Sequence, residues 1–255
     1  MTSDLTQLLQ QTGLWRASHL DADHSGGIPT GYPQLDQLLP GHGWPVAGIT
    51  ELLHDHAGIG ELRLLLPALA RLSHRQARWI LLVAPPCLPY APALAMAGID
   101  LRHLLVVRPP SPGDVLWTME QALVSGSCSA MLGWPGLIRE KQIRRLQVAS
   151  KEGHCLGFLF RGTAVARQAS PAELRIVLGH QPPNPLYEHS AVSVQVIKRR
   201  GGWGCQPFTL NLQDRLNQIT PDFSDMAVTN PEPEKPALGF IDYAHSTVTH
   251  ERRLQ

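Results

Sequence analysis

The chain is poor in several features that mark large protein classes. Its 255 residues contain four widely spaced cysteines, with no CxxC pair and no histidine at metal-ligand spacing beside them. We therefore expect no disulfide framework, no metal site and no cofactor. Charged residues make up 17% of the chain and balance to +1. This excludes a uniformly basic nucleic-acid-binding protein, although it allows a local basic patch.

Long apolar runs are missing as well. No stretch approaches the roughly 18 apolar residues that a membrane helix requires. Residues 1–11 are polar and have no apolar core of the kind found in a secretory signal. We expect a cytoplasmic protein with no membrane partner. The hydrophobic fraction of 43% is enough to bury the core of one substantial domain.

Apolar strand patterns alternate with helical ones along the middle of the chain. Several strand patterns are continuously apolar, as is typical of strands buried on both faces of a parallel sheet. The sequence predicts an α/β fold with a mainly parallel central sheet, flanking helices and an antiparallel hairpin at one edge. The predicted strands are residues 48–53, 79–83, 104–107, 130–132, 155–160, 174–178 and 191–198.

Composition divides the chain into three parts. Residues 1–27 form a polar arm or linker, residues 28–212 the core domain, and residues 213–255 a proline-punctuated tail that we expect to be disordered. The tail carries an apolar island, which is either a partner-binding motif that folds on binding or a strand that completes the domain. Its apolar residues are Leu238, Phe240, Ile241 and Tyr243.

Residues 48–62 read as a strand, a turn containing Gly58 and Gly60, and a helical run, which is the layout of a phosphate-binding loop. A working loop has the form GxxxxGK(S/T), in which backbone amides and lysine hold phosphate and a hydroxyl holds magnesium. Glu61 and Leu62 stand in place of the lysine and the hydroxyl. The sequence predicts a degenerate phosphate loop, with an ordinary glycine turn as the alternative.

The sequence around this turn resembles known protein families. Residues 28–51 resemble the start of the RecA-family ATPase core, which leads directly into the phosphate loop. Residues 42–45, 58–63 and 64–69 resemble more closely the ImuA family, RecA-like accessory proteins of bacterial mutagenic translesion synthesis. SulA cell division inhibitors belong to the same wider group. The likeness covers residues 28–212 and implies a RecA-like core.

The RecA likeness also shows which catalytic groups are missing. The position of the catalytic acid after the second strand falls in the segment 84–87, which contains no acid. The magnesium-binding acid falls on Gly133 or Trp134, and the polar sensor on Phe160 or Arg161. Each absent group would neutralise charge or activate water. We therefore expect no catalytic residues and no enzymatic activity.

The ImuA resemblance implies a function in DNA repair after DNA damage. It predicts a non-catalytic accessory protein of mutagenic translesion synthesis in the SOS response. Its partner would be a Y-family polymerase-like protein of the ImuB type, together with RecA or DNA. The alternative is a SulA-like cell division inhibitor that binds FtsZ.

Three groups of residues are candidate contacts for DNA or a protein partner. The first is the basic face of a predicted helix, the second a basic cluster at a predicted hairpin tip, and the third a set of loop tryptophans. Each has a plain alternative: a solvated helix face, a charged turn, or half-buried packing. The groups are Lys141, Arg144 and Arg145; Lys198, Arg199 and Arg200; and Trp44, Trp134 and Trp203.

Overall fold

The computed structural model describes residues 26–180, 191–201 and 204–212, all of which belong to one unit, residues 1–220. Within them, eight strands form a single sheet. The strands are β1 Gly48–Leu53, β2 Trp79–Val83, β3 Leu104–Val107, β4 Cys128–Gly133, β5 Leu156–Arg161, β6 Leu174–His180, β7 Ala191–Lys198 and β8 Phe208–Asn211.

The strand order is β3-β2-β4-β5-β1-β6-β7-β8. The first six strands in this order are parallel, and β7 and β8 are added antiparallel to β6. This confirms the predicted α/β class with a mostly parallel sheet and an antiparallel edge. Strand β8 was not predicted, because four residues, of which one is buried, are too few to show a period-2 pattern.

Helices cover both faces of the sheet. They are α1 Pro33–Asp36, α2 Leu66–Arg75, α3 Ala91–Met96, α4 Pro112–Val124 and α5 Glu140–Glu152. Side chains of β2 alternate between the two layers, as the pleat requires. Ile80 and Leu82 join the core under α1, α2 and α3, whereas Leu81 and Val83 join the core under α4 and α5.

Helix α4 begins and ends as its sequence indicates. The Ser111 hydroxyl accepts a hydrogen bond from the Asp114 amide at 3.2 Å, and Pro112 occupies the first turn. Both features are typical of a helix N-terminus. Gly126, two residues past the helix, has a φ of 69°, which favours glycine.

A buried charge cluster ties the centre of the sheet together. Glu51 of β1 is completely buried, and its two carboxylate oxygens accept hydrogen bonds from Arg161 of β5 and Arg175 of β6, each at 2.5 Å. Arg175 also donates to three backbone carbonyls within residues 165–168. These contacts fix the carboxyl end of β1, where the glycine loop begins.

Trp44 corrects one prediction about the loop tryptophans. It is completely buried and packs edge-on against Phe158, with 5.3 Å between ring centroids. Ile28 and Trp44 exchange backbone hydrogen bonds of 2.8 and 2.7 Å, which draws the tryptophan beneath the preceding segment. A contact role for Trp44 is therefore wrong.

Several sequence predictions lie outside the described residues. These are Trp203, the arm up to residue 25, and the tail from residue 213 with Leu238, Phe240, Ile241 and Tyr243. Among the residues that the structure describes, no helix combines the length and apolar character needed to cross a membrane.

Candidate functional site

The glycine loop between β1 and α2 requires glycine at two positions. Gly58 has a φ of 86° and Gly60 a φ of 110°, values that residues with a side chain rarely adopt. A Cβ on Gly60 would also lie 2.5 Å from the Leu212 side chain. The loop is therefore a closely defined turn.

Glu61 places its carboxylate against the amides of this loop. The carboxylate oxygens accept hydrogen bonds from Gly58 N–H at 2.9 and 3.0 Å and from Gly60 N–H at 3.2 Å. The residue is only 8% exposed. Converging backbone amides of this kind bind anions such as phosphate. Here the anion is the chain's own carboxylate, which fills the position and repels a second negative group.

A cleft opens beside this loop at the carboxyl ends of β1, β2 and β4. Its volume is about 530 Å³, and most of its walls are apolar. Leu88 is 65% exposed at its rim, and Cys87 is also exposed. Its other apolar lining residues include Ile59, Leu82, Pro85, Pro86, Pro89, Trp134 and Leu212.

The loop after β2 forms one wall of this cleft and has little freedom. Ala84 adopts a φ of 54°, an uncommon conformation for a residue with a side chain. Its amide donates to the Val107 carbonyl of β3 at 2.8 Å, which holds that conformation. Three prolines follow within five residues, and each fixes its own φ. Strained, rigid loops of this kind are concentrated at functional sites.

Trp134 follows β4, where a RecA-type ATPase would carry its magnesium-binding acid. Its ring stacks on Phe160, with 4.3 Å between centroids and 5° between planes. The tryptophan is half-buried and also lines the cleft. It therefore combines the two roles considered from the sequence, packing against the core and presenting an aromatic surface.

Two arginines lie in the cleft or against its wall. Arg63 is exposed and lines the cavity, and the Arg108 guanidinium donates to the Pro85 carbonyl at 3.4 Å in its wall. Neither arginine forms an ion pair with a residue that the structure describes. Glu61 is the one acid among the described lining residues, and backbone amides already hold it. Arg63 is thus the one cation among the described lining residues, and Arg108 lies against the Pro85 wall of the cleft.

The predicted basic face of α5 is present and exposed. Arg144 pairs with Glu140 at 3.4 Å, and Arg145 pairs with Glu120 of α4 at 2.5 Å. Lys141 is exposed and forms no ion pair with any described residue. Neighbouring carboxylates therefore offset much of the charge of this patch, and its contact role stays a prediction.

The side chains of the predicted hairpin-tip cluster are held by three different partners. Lys198 donates to a backbone carbonyl at 2.6 Å, and its partial burial lowers its pKa. Arg199 turns inward and donates to the Leu38 carbonyl, whereas Arg200 lies 3.8 Å from Glu173. Arg199 and Arg200 nevertheless line the same two cavities, and the contact role of the cluster stays a prediction.

The cysteines differ sharply in accessibility. Burial raises the pKa of Cys128 and of Cys155, whereas Cys87 is exposed in the cleft. No cluster of three or more histidine, cysteine, aspartate or glutamate side chains that could hold a metal occurs in the described part of the chain.

Comparison with known proteins identifies the family. A family model described as "Cell division inhibitor SulA" matches residues 48–157, from β1 to the start of β5. The cell division inhibitor SulA of Photorhabdus laumondii subsp. laumondii is 37% identical over 113 residues. The SulA protein of Yersinia pestis (strain Pestoides F) is 34% identical over 113 residues and is matched over 67% of its length. The chain belongs to the SulA family.

The shared region covers only part of each protein. It makes up 44% of this chain and 63% of the length of the Photorhabdus SulA protein. A crystal structure of SulA from Pseudomonas aeruginosa is 26% identical, and the match covers 44% of this chain and 96% of that one, with a TM-score of 0.38.

Membership of the SulA family corrects the functional prediction. The relatives are cell division inhibitors, so the translesion function and its Y-family polymerase-like partner, with RecA or DNA beside it, are wrong. The narrower ImuA assignment is likewise unsupported. The segments that suggested ImuA, residues 42–45 and 58–69, are short and include the glycine loop with the start of its helix, so they specify local structure rather than a partner.

The sequence analysis did not identify the cleft residues Arg63, Cys87, Leu88 and Arg108 as a site. The available signal was the proline-rich segment that follows the strand 79–83, because parallel strands gather ligand sites at their carboxyl ends. The two arginines are separated by 45 residues in sequence, and only the strand order brings Arg108 against the Pro85 wall of the cleft that Arg63 lines.

Proposed function

We propose that the chain is a cell division inhibitor that binds FtsZ and blocks septum formation. The observation that carries this proposal is the similarity of residues 48–157 to the SulA family, whose members in Photorhabdus and Yersinia are cell division inhibitors. FtsZ is the partner that the SulA resemblance implies. The shared region includes the glycine loop, the proline-rich loop and both helices α4 and α5.

The inhibitor acts by binding to its partner protein and not by catalysis. The filled anion position at Glu61 supports this, because a nucleotide phosphate has no free amides to bind there. The apolar cleft supports it as well, since Trp134 stands where an ATPase needs a carboxylate. The site of action is the cytoplasm, where FtsZ assembles.

We also infer that the fold is a RecA-like core whose catalytic groups have been replaced. In support, β1 leads into the glycine loop and α2, and the cleft lies at the carboxyl ends of the parallel strands. Such clefts bind ligands in open α/β sheets. In this chain the same place holds apolar side chains suited to a protein surface.

Expression in a rod-shaped bacterium tests the proposed function. We expect cells that produce the full chain to stop dividing and grow as filaments, and extra FtsZ to restore division. The vector without the gene is the control. Normal division in cells that accumulate soluble, folded protein would contradict the proposal.

A further inference from the structure

We propose that the cleft beside the glycine loop is the docking site for FtsZ. Its occupant is a segment of FtsZ in which an apolar side chain is flanked by carboxylates. This inference rests on the proposed function for the identity of the partner. The cleft lined by Arg63, Leu88 and Trp134, together with Arg108 against its Pro85 wall, is called the docking cleft below.

The walls of the docking cleft favour the binding of an apolar group. Leu88 is 65% exposed, and Tyr90, which ends the same loop, is 72% exposed. Trp134 adds an aromatic ring whose position is fixed by stacking on Phe160. Exposed aromatic and aliphatic side chains around a concavity are the usual anchors of protein interfaces. An apolar partner side chain in the cleft would cover Leu88 and the exposed part of Trp134, both of which line it.

The docking cleft is built in advance of binding. Its proline-rich wall is fixed by the φ angles of the prolines and by the hydrogen bond from Ala84 to Val107. Its floor is fixed by the hydrogen bonds between Glu61 and the loop amides. A rigid site loses little conformational entropy on binding, which strengthens association without additional contacts.

The positive charges of the docking cleft determine which side chains of FtsZ should flank its apolar anchor. Arg63 and Arg108 lack an acidic partner among the described residues, so carboxylates on FtsZ would complement them. A nucleotide or free phosphate fits less well, because the amides that would bind its phosphate already hold Glu61. The preferred ligand is therefore an acidic protein segment that contacts the rim and leaves the loop amides undisturbed.

The basic face of α5 is the main rival surface. Glu120 and Glu140 already pair with two of its three cations, so less unbalanced charge is left to attract an acidic partner. Its one strongly exposed apolar residue, Val148, is 60% exposed and lines a smaller cavity of about 350 Å³, whose described lining residues also include Glu120 and Glu152 but no proline. This face supplies matched control positions.

Charge-reversal variants of the full chain test the inference by direct binding to purified FtsZ. Arg63→Glu and Arg108→Glu remove the cations, and Leu88→Ser removes an exposed apolar anchor. We expect each to weaken binding at least 10-fold. Arg144→Glu and Val148→Ser, on α5, should change affinity less than twofold. Thermal unfolding of each variant verifies that it is folded.

Cys87 provides a second readout that needs no substitution. We expect FtsZ to slow maleimide modification of Cys87 at least fivefold, measured by mass spectrometry of the individual cysteines. Modification of Cys205, which lies elsewhere and is half-buried, is the internal reference. In the Arg63→Glu variant the protection of Cys87 should be lost at the same FtsZ concentration.

The outcomes separate the inference from the proposed function. If wild-type protein does not bind FtsZ, both fall together. If it binds FtsZ while the docking-cleft variants retain full affinity and Cys87 stays reactive, the inference is overturned and the proposed function stands. If wild-type protein forms dimers that the docking-cleft variants abolish, the cleft joins two copies of this chain and the inference is again overturned.

Discussion

The Glu61 carboxylate accepts two hydrogen bonds from the amide of Gly58, three residues earlier in the chain, at 2.9 and 3.0 Å. A phosphate-binding loop uses amides in this arrangement to hold a ligand from solution. In this chain the group that the amides hold is the Glu61 carboxylate, which belongs to the loop itself. The amides of the loop are therefore satisfied without a nucleotide.

The first prediction concerns the stability that Glu61 contributes. Glu61→Ala should lower the free energy of unfolding by about 1–3 kcal/mol, because two backbone amides lose a charged acceptor. Glu61→Gln keeps one acceptor oxygen and should cost less. Urea denaturation measures both, with Glu152→Ala on the exposed face of α5 as the control. Equal stability of the Glu61→Ala and Glu152→Ala proteins would refute this account of the loop.

The second prediction is that the wild-type protein does not bind nucleotides. Isothermal titration calorimetry with Mg-ATP should show no saturable heat, and millimolar Mg-ATP should leave the melting temperature unchanged. The physical reason is that Glu61 fills the amide position and no lysine neutralises the phosphates. Saturable binding in the micromolar range, accompanied by phosphate release, would mean that the chain is an enzyme after all.

The third prediction concerns the buried charge cluster of β1. Glu51→Ala should destabilise the protein by roughly 3–5 kcal/mol, because it leaves Arg161 and Arg175 buried without their carboxylate. Glu140→Ala, which breaks an exposed ion pair with Arg144, should cost less than about 1 kcal/mol. Chemical denaturation of the two variants compares them directly. An equally small loss of unfolding free energy in both variants would show that the buried charge cluster does not stabilise the sheet.

The fourth prediction is a pH dependence that originates at Asp100. Hydrogen bonds from Arg102, the shortest 2.8 Å long, hold the pKa of Asp100 below its usual range. A lowered pKa stabilises the folded state above the ordinary aspartate value of about 3.9, and this contribution is lost as the pH falls through the folded-state value. Asp100→Asn should therefore be less stable than wild type at pH 7.

The difference in the free energy of unfolding between wild type and Asp100→Asn should shrink below about pH 4. The reason is that the wild-type carboxylate becomes protonated first in the unfolded chain and then in the folded one. Urea denaturation at a series of pH values measures this difference. Asp114→Asn on α4 is a control for the general effect of removing an exposed carboxylate. A difference that stays constant from pH 7 to pH 3 would assign the effect to something other than this ionisation.

Much of the fold could be predicted because its signals are local. Strands 48–53, 79–83, 104–107 and 191–198 have the predicted bounds, since continuous or alternating apolar runs mark them clearly. Helix α4 has an unambiguous cap at Ser111. By contrast, β8 depends on pairing with β7, and the burial of Trp44 depends on a bridge to Ile28. Pairings between distant segments leave little trace in a single sequence.

The candidate site was predictable only in part. The sequence identified the glycine loop and the negative charge of Glu61 at the position where a phosphate-binding loop has lysine. It did not indicate that this carboxylate accepts hydrogen bonds from the loop amides. Arg63 lines the cleft and Arg108 contacts its Pro85 wall because of the strand order, which no local pattern encodes. The choice between translesion synthesis and cell division failed because short motifs around a shared loop specify its conformation and carry no information about the partner.

Sedimentation of FtsZ polymers in the presence of the purified full chain tests the central claim most directly. The account predicts that pelleted FtsZ decreases as the chain approaches molar parity, and that Arg63→Glu restores polymer while Arg144→Glu inhibits as wild type does. An undiminished pellet in the presence of a severalfold excess of folded wild-type protein would contradict the claim that this chain inhibits division through FtsZ.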